Sequence, residues 1–181
     1  MSIATRTGDS GTTGLMYNRR VSKCHPRVES YGSVDELNTA LGMVRATATH
    51  DFIRQQIADT QRELVVLMGE LATLPEDLPR YLKDGFKVVT SEMTERLDHC
   101  VRDIEAQKVS FKGWATPGAT LHSATLDVAR TTCRRAERNI ARLLEGGGLG
   151  NEEILVFLNR LSDALWLMAR WVESKDDGTV H

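Results

Sequence analysis

The stretch LDVARTTCRRAERNIARLLEGGG, residues 126–148, carries two patterns at once. At about 100° per residue, Leu126, Ala129, Cys133, Ala136, Ile140, Leu143 and Leu144 fall on one stripe, the core-facing side of an amphipathic helix. Arg130, Arg134, Arg135, Arg138 and Arg142 lie off that stripe, with Glu137 as the single acid among them. A helix of this kind must bury its apolar edge against other helices.

The rest of the chain supplies them. SVDE at 33–36 reads as a capping box opening a first helix, with Leu37, Ala40, Leu41 and Val44 at helical spacing. A second helix fits about 52–72, through Phe52, Ile53, Ile57, Leu64, Leu67, Met68 and Leu71, and LPEDLP at 74–79 breaks it with two prolines. A third lies within 80–108, residues 109–119 are a connection, and the arginine helix ends at the glycines from 146. Asn151 with Glu152 and Glu153 opens a fifth helix that runs to about Ser174. Residues 1–32, with glycines at 8, 11, 14 and 32, read as loop and turn. The expected fold is therefore all-α: one domain over 1–181, built as a five-helix antiparallel bundle (33–174) behind an irregular N-terminal arm (1–32), with a tail at 175–181.

Composition narrows the function classes. The chain has 181 residues, 41% hydrophobic and 27% charged, with a formal net charge of −2. That balance argues against bulk attraction to nucleic acid or an anionic membrane, so anion binding has to come from local clusters such as the arginine helix. The start shows no signal-peptide h-region, and no apolar run reaches bilayer length, which makes a cytoplasmic protein the expectation. Cys24, Cys100 and Cys133 are widely spaced and form no C-x-x-C, so neither a disulfide framework nor a zinc site is expected.

The arm and the arginine helix together suggest phosphate chemistry. TRTGDSGTTG, 5–14, offers glycine backbone, hydroxyls and Arg6, and Lys23 follows in RRVSK. It lacks the Gly-Lys-Ser/Thr of a P-loop. GDSG matches the nucleophile segment of serine proteases, but a helical bundle is the wrong scaffold and no Ser/His/Asp constellation is readable. Glu137 stands three residues from Arg134 and can brace it. Asn159 and Asp163 project from one face of the last helix, as a buried hydrogen-bonded pair or as ligand contacts. Glu95 and His99 are i, i+4, which is not the Glu-x-x-His pairing of di-iron bundles, and His122 falls on the apolar stripe. No metal ligands are assigned.

TRTGDSGTTGL with RVSK, YGSVDELNTALG, and LDVARTTCRRAER with LNRLSDALWLMAR, in this order over nearly the whole chain, resemble the trimeric, propanediol-utilisation type of ATP:cob(I)alamin adenosyltransferase. The resemblance implies a homotrimer with active sites at subunit interfaces. It also implies transfer of the 5′-deoxyadenosyl group of ATP, with Mg²⁺, to cob(I)alamin, releasing triphosphate. It assigns Thr5, Arg6, Thr7, Gly8, Thr13 and Lys23 to the nucleotide's phosphates. Arg130 and Arg134 become the main catalytic cations, and Arg135, Glu137, Arg138 and Asn159 complete the ATP site. Asp35 would reach across the interface to Arg130, and Asp163 would orient the same region. Where the family has an aromatic-apolar-Pro-Gly-Gly stretch this chain reads WATPGA, placing Trp114 on the cobalamin side and Ala119 at the second glycine. The implied partners are a cobalamin reductase and an adenosylcobalamin-dependent acceptor enzyme. The alternative is a non-catalytic helical trimer that binds ATP or corrinoid.

Overall fold

The computed structural model describes residues 4, 6–109 and 115–176. Its five long helices are α1 (Pro26–Thr47), α2 (Asp51–Leu71), α4 (Ser91–Glu105), α5 (Leu121–Glu145) and α6 (Glu153–Asp176), with a short α3 (Leu78–Lys83) between α2 and α4. α1 packs on α2 and α5, α5 packs on α6, and α6 packs on α4. The core runs through all five long helices, with Leu37, Leu41, Ile53, Ile57, Leu64, Leu97, Leu126, Ile140 and Phe157 fully buried. Each such side chain contributes about 2–3 kcal/mol by leaving water. Among the described residues no helix is long and apolar enough to cross a membrane.

The first helix begins seven residues before the expected Ser33. His25 is the N-cap: its Nδ1 accepts the Arg27 N–H at 3.1 Å, and Pro26 occupies the first turn, where a missing N–H costs nothing. Ser33 is buried in mid-helix and donates to the Ser30 carbonyl at 2.8 Å, so SVDE is not a cap here. The bundle thus starts at Pro26 and the arm stops at His25. A true capping box sits at the start of α5, where Thr120 Oγ1 accepts from Ser123 N at 3.0 Å and Ser123 Oγ accepts from Thr120 N at 3.2 Å. The two prolines of LPEDLP end α2 and then serve as first-turn residues, of a 3-10 turn at Pro75–Asp77 and of α3.

The arm carries a two-stranded antiparallel hairpin, β1 (Thr12–Gly14) and β2 (Arg20–Ser22), with Thr13 opposite Val21. It is tied to the bundle at several points. Met16 N–H donates to the Ala72 carbonyl at 2.9 Å, and the Arg19 guanidinium grips Asp77 at 2.8 and 2.9 Å, holding that carboxyl below its usual range. Arg27, buried, donates to the Leu71 and Thr73 carbonyls at 2.9 Å and to the Gly148 carbonyl, capping the end of α2 and clasping the turn after α5. That turn passes through Gly147 at φ +70°, a conformation only glycine adopts cheaply.

Candidate active site

Arg130, Arg134 and Arg138 stand four residues apart on α5 and form one ridge beside the core stripe. Arg134 and Arg138 line a cleft of ≈ 480 Å³ between α5 and α6, with Glu137 and Ala141 on the same wall and Leu155, Val156 and Asn159 opposite. Glu137 does not brace Arg134. Its carboxylate instead accepts from Asn159 Nδ2 at 3.2 Å, linking the two walls. The Arg134 guanidinium therefore has no acid or hydrogen-bond partner among the described residues, and it is exposed.

Arg135, 100° around the helix, turns to α1 and pairs with Glu36, so it is not part of this cleft. Asn159 and Asp163 are both exposed, which removes the buried-pair alternative. Asp163 lines a neighbouring cleft of ≈ 370 Å³ with Val101 and Glu105 of α4 and Arg160, Trp166 and Leu167 of α6. Arg130, one turn below Arg134, faces a third cleft with Pro117, Gly118, Ala124, Val128 and Thr131. Its Nε donates to Asp127 at 2.9 Å, and the other oxygen of Asp127 accepts from Arg170 Nη2 at 2.7 Å. Sequence reasoning missed both of these residues. The available signals were an acid one turn before the arginine ridge and an arginine inside the apolar run LWLMARW.

The arm builds a separate group. Gly8 lies under the Lys23 side chain; a methyl group there would stand 3.2 Å from Lys23 Cε and Nζ, so glycine admits the ammonium closely. Lys23 N donates to the Gly11 carbonyl at 2.9 Å, and Arg20 donates to the Thr7 carbonyl at 2.7 Å and to Thr12. Arg6 and Thr7 are exposed and Thr13 is half-buried. Lys23 borders a notch against Glu29 of α1 and Asn139 and Arg142 of α5. This notch shares no lining residue with the Arg134 cleft. Within one chain, arm and cleft sit on different faces of α5. Asp35 is exposed on α1, its carboxylate without a partner among the described residues. Thr5 and Trp114 lie outside the described residues.

Among the described residues no three His, Cys, Asp or Glu side chains converge as a metal site. His122 is buried and shares a hydrogen bond between its Nδ1 and Thr49 Oγ1 at 3.3 Å. Cys100 and Cys133 are buried, and burial pushes the Cys100 thiol up to about 11 and the Cys133 thiol further still.

The family model for cobalamin adenosyltransferase matches residues 3–172. The chain belongs to the cobalamin adenosyltransferase family. It is 40% identical over 175 residues to a corrinoid adenosyltransferase of Citrobacter freundii, covering 97% of each chain. It is 36% identical over 177 residues to the corrinoid adenosyltransferase PduO of Salmonella typhimurium, covering 96% of this chain and 50% of the relative. The chain thus spans about half the length of that relative and nearly all of the Citrobacter one. Among solved structures, it is similar to a variant PduO-type ATP:corrinoid adenosyltransferase from Lactobacillus reuteri complexed with cobalamin and ATP, with TM-score 0.88 and 31% identity over 97% of this chain and 96% of that one. A second variant from that organism, complexed with ATP, gives TM-score 0.86 and 31% identity with the same coverage.

Proposed function

We propose that this chain transfers the 5′-deoxyadenosyl group of ATP to cob(I)alamin in the cytoplasm, forming adenosylcobalamin and triphosphate. The cobalt(I) electron pair attacks the ribose C5′, the C5′–O bond breaks, and its electrons leave on the triphosphate. No protein nucleophile or base is needed, because the corrinoid is the nucleophile. What the protein must supply is in-line placement and positive charge where the leaving group develops its own.

The observation that carries this reading is the α5/α6 cleft. Two arginines without acid partners among the described residues face a hydrogen-bonded Glu137–Asn159 pair. Arg134 and Arg138 would take the phosphates and Asn159 would fix the nucleotide's position. The arm's glycine backbone, Arg6, Thr7, Thr13 and Lys23 would close on the phosphates from the other side. Arm and cleft face different ways in one chain, so the arm of one copy would meet the cleft of the next, as a homotrimer allows at each interface. Asp35 would then meet Arg130 from the neighbouring copy. Asp9 is the only acid in residues 1–25, so Mg²⁺ would enter bound mainly to the phosphate oxygens of ATP. Thr5 would join the phosphate loop and Trp114 would wall the corrinoid. A reductase must deliver cobalt(I), and an adenosylcobalamin-dependent enzyme would take the product.

The test is anaerobic, with purified chain, Mg-ATP and chemically reduced cobalamin, following the corrinoid spectrum and assaying triphosphate. Adenosylcobalamin with one triphosphate per turnover is the expected result. ATP binding without conversion would reduce the chain to a non-catalytic nucleotide binder.

A further inference from the structure

Arg20 is a cation of the arm to which the phosphate chemistry gives no part. It stands on β2 opposite Gly14, and Thr12 lies two residues along β1 on the same face. Its Nη2 donates to the Thr12 hydroxyl and, at 2.7 Å, to the Thr7 carbonyl. One nitrogen thus ties the hairpin to the loop before it. That loop is a pair of overlapping turns: Asp9 N–H donates to the Arg6 carbonyl at 3.3 Å, and Gly11 N–H donates to the Gly8 carbonyl at 3.1 Å.

The Thr7–Gly8 peptide is the middle one of the first turn, and the two common β-turn forms differ by turning that peptide over. Glycine after it tolerates both forms. Gly8 keeps φ outside the left-handed region here, so one of the two is selected. Arg20 is placed to select it. A carbonyl that accepts from the guanidinium points towards it, and in a planar trans peptide the next N–H points the opposite way. The Gly8 N–H has no hydrogen-bond partner among the described residues, and the Lys23 ammonium is packed against the same glycine. A free backbone N–H beside an ammonium suits a phosphate oxygen.

We propose that Arg20 is a positioning residue: by holding the Thr7 carbonyl it keeps the Thr7–Gly8 peptide in one orientation and so presents the Gly8 N–H to the phosphates of ATP. This rests on the proposed reading of the arm as the phosphate loop, and the test separates the two. Kinetics and melting are measured on Arg20→Met, which keeps the stem and loses the donors, on Arg20→Lys, which keeps donors for both oxygens, and on Lys23→Ala. Amide NMR spectra of glycine-labelled protein, with Gly8 assigned through Gly8→Ala, follow the addition of Mg-ATP without corrinoid. In the parent, ATP should shift the Gly8 amide. Arg20→Met is expected to raise the KM for ATP about 10- to 100-fold, the loss of a hydrogen bond to a charged group. Its kcat should stay within about threefold, as for uniform binding. Its Gly8 amide should not shift even at saturating ATP. Its melting should match the parent, because the Arg19–Asp77 pair and the Met16–Ala72 hydrogen bond fasten the hairpin independently. Arg20→Lys should restore both the KM and the shift. A parental Gly8 amide indifferent to ATP, with a parental KM in Lys23→Ala, overturns the reading of the arm and the proposal with it. An Arg20→Met amide that shifts as the parent's does, or a parental KM in that variant, overturns positioning alone. Should Arg20→Met melt early, Arg20→Lys decides: a lysine variant that melts like the parent yet loses the amide shift overturns positioning, since its donors remain.

Discussion

Arg134 projects from the edge of the core stripe into solvent, with neither acid nor carbonyl to hold it among the described residues. Removing it should therefore be felt in chemistry and not in folding. Arg134→Ala is expected to cut kcat by about 10²–10³-fold, the cost of losing one charge-stabilising donor. Its unfolding free energy by urea denaturation should match the parent within about 0.5 kcal/mol, as for a surface change. Paired kinetics and denaturation check both halves. The ridge was legible in the sequence because helical period alone assigns faces: Arg134, Glu137 and Arg138 share one, and Arg135 does not. Asp127 and Arg170 were not legible as partners, since period says which way a side chain points and not which helix waits there. His122 shows the same limit, placed in the core by period, with its neighbours Thr49 and His50 supplied only by the fold. Burial, with His50 adding to it, holds the His122 imidazole below its usual range. The unfolded chain takes up that proton near pH 6.5 while the folded chain resists it, so stability falls as pH drops from about 6.5 towards the folded value. Melting temperature between pH 7.5 and 5.5 should fall more in the parent than in His122→Leu.

At the scale of elements, the helix ends decided where sequence reading held. Asn151 was expected to open the last helix, and it does: its Oδ1 accepts the Glu153 N–H at 3.1 Å. It also donates to Glu70 Oε1 and to the Val89 carbonyl, both at 2.9 Å, while Glu70 Oε2 accepts the Val89 N–H at 2.7 Å. One side chain thus ties α2, the segment before α4, and α6. Asn151→Ala removes a cap worth about 1 kcal/mol. It also strands a buried carboxylate oxygen and a buried carbonyl, so the total loss should be about 2–4 kcal/mol by urea denaturation. A loss under about 1 kcal/mol would mean that water replaces the tie. SVDE failed as a start signal because a capping box marks a terminus only where the preceding residues cannot be helical. Here His25 and Pro26 set the start earlier, and the helix runs through Gly32. The short α3 was hidden for a related reason: Pro79 was read as a breaker, and at a first turn it is a starter. The hairpin in the arm is two strands of three residues each, too short for an alternation pattern to register.

At the scale of the whole molecule, the arm and the Arg134 cleft lie on different faces of α5, yet the proposed chemistry needs both on one nucleotide. Two arrangements can reconcile this: the arm swings within a chain, or the arm of one copy meets the cleft of the next. The first would require breaking the Arg19–Asp77 pair and the Met16–Ala72 hydrogen bond that fasten the hairpin to the bundle. The second needs only association. Complementation tells them apart. Lys23→Ala disables an arm and leaves a sound cleft, while Arg134→Ala disables a cleft and leaves a sound arm. Each variant alone should be nearly inactive under subsaturating ATP. Co-expressed in equal amounts and assembled at random into rings, they should recover about a quarter of parental activity, the fraction of interfaces pairing a sound arm with a sound cleft. If each arm served its own chain, every site in the mixture would carry one defect and no activity would return.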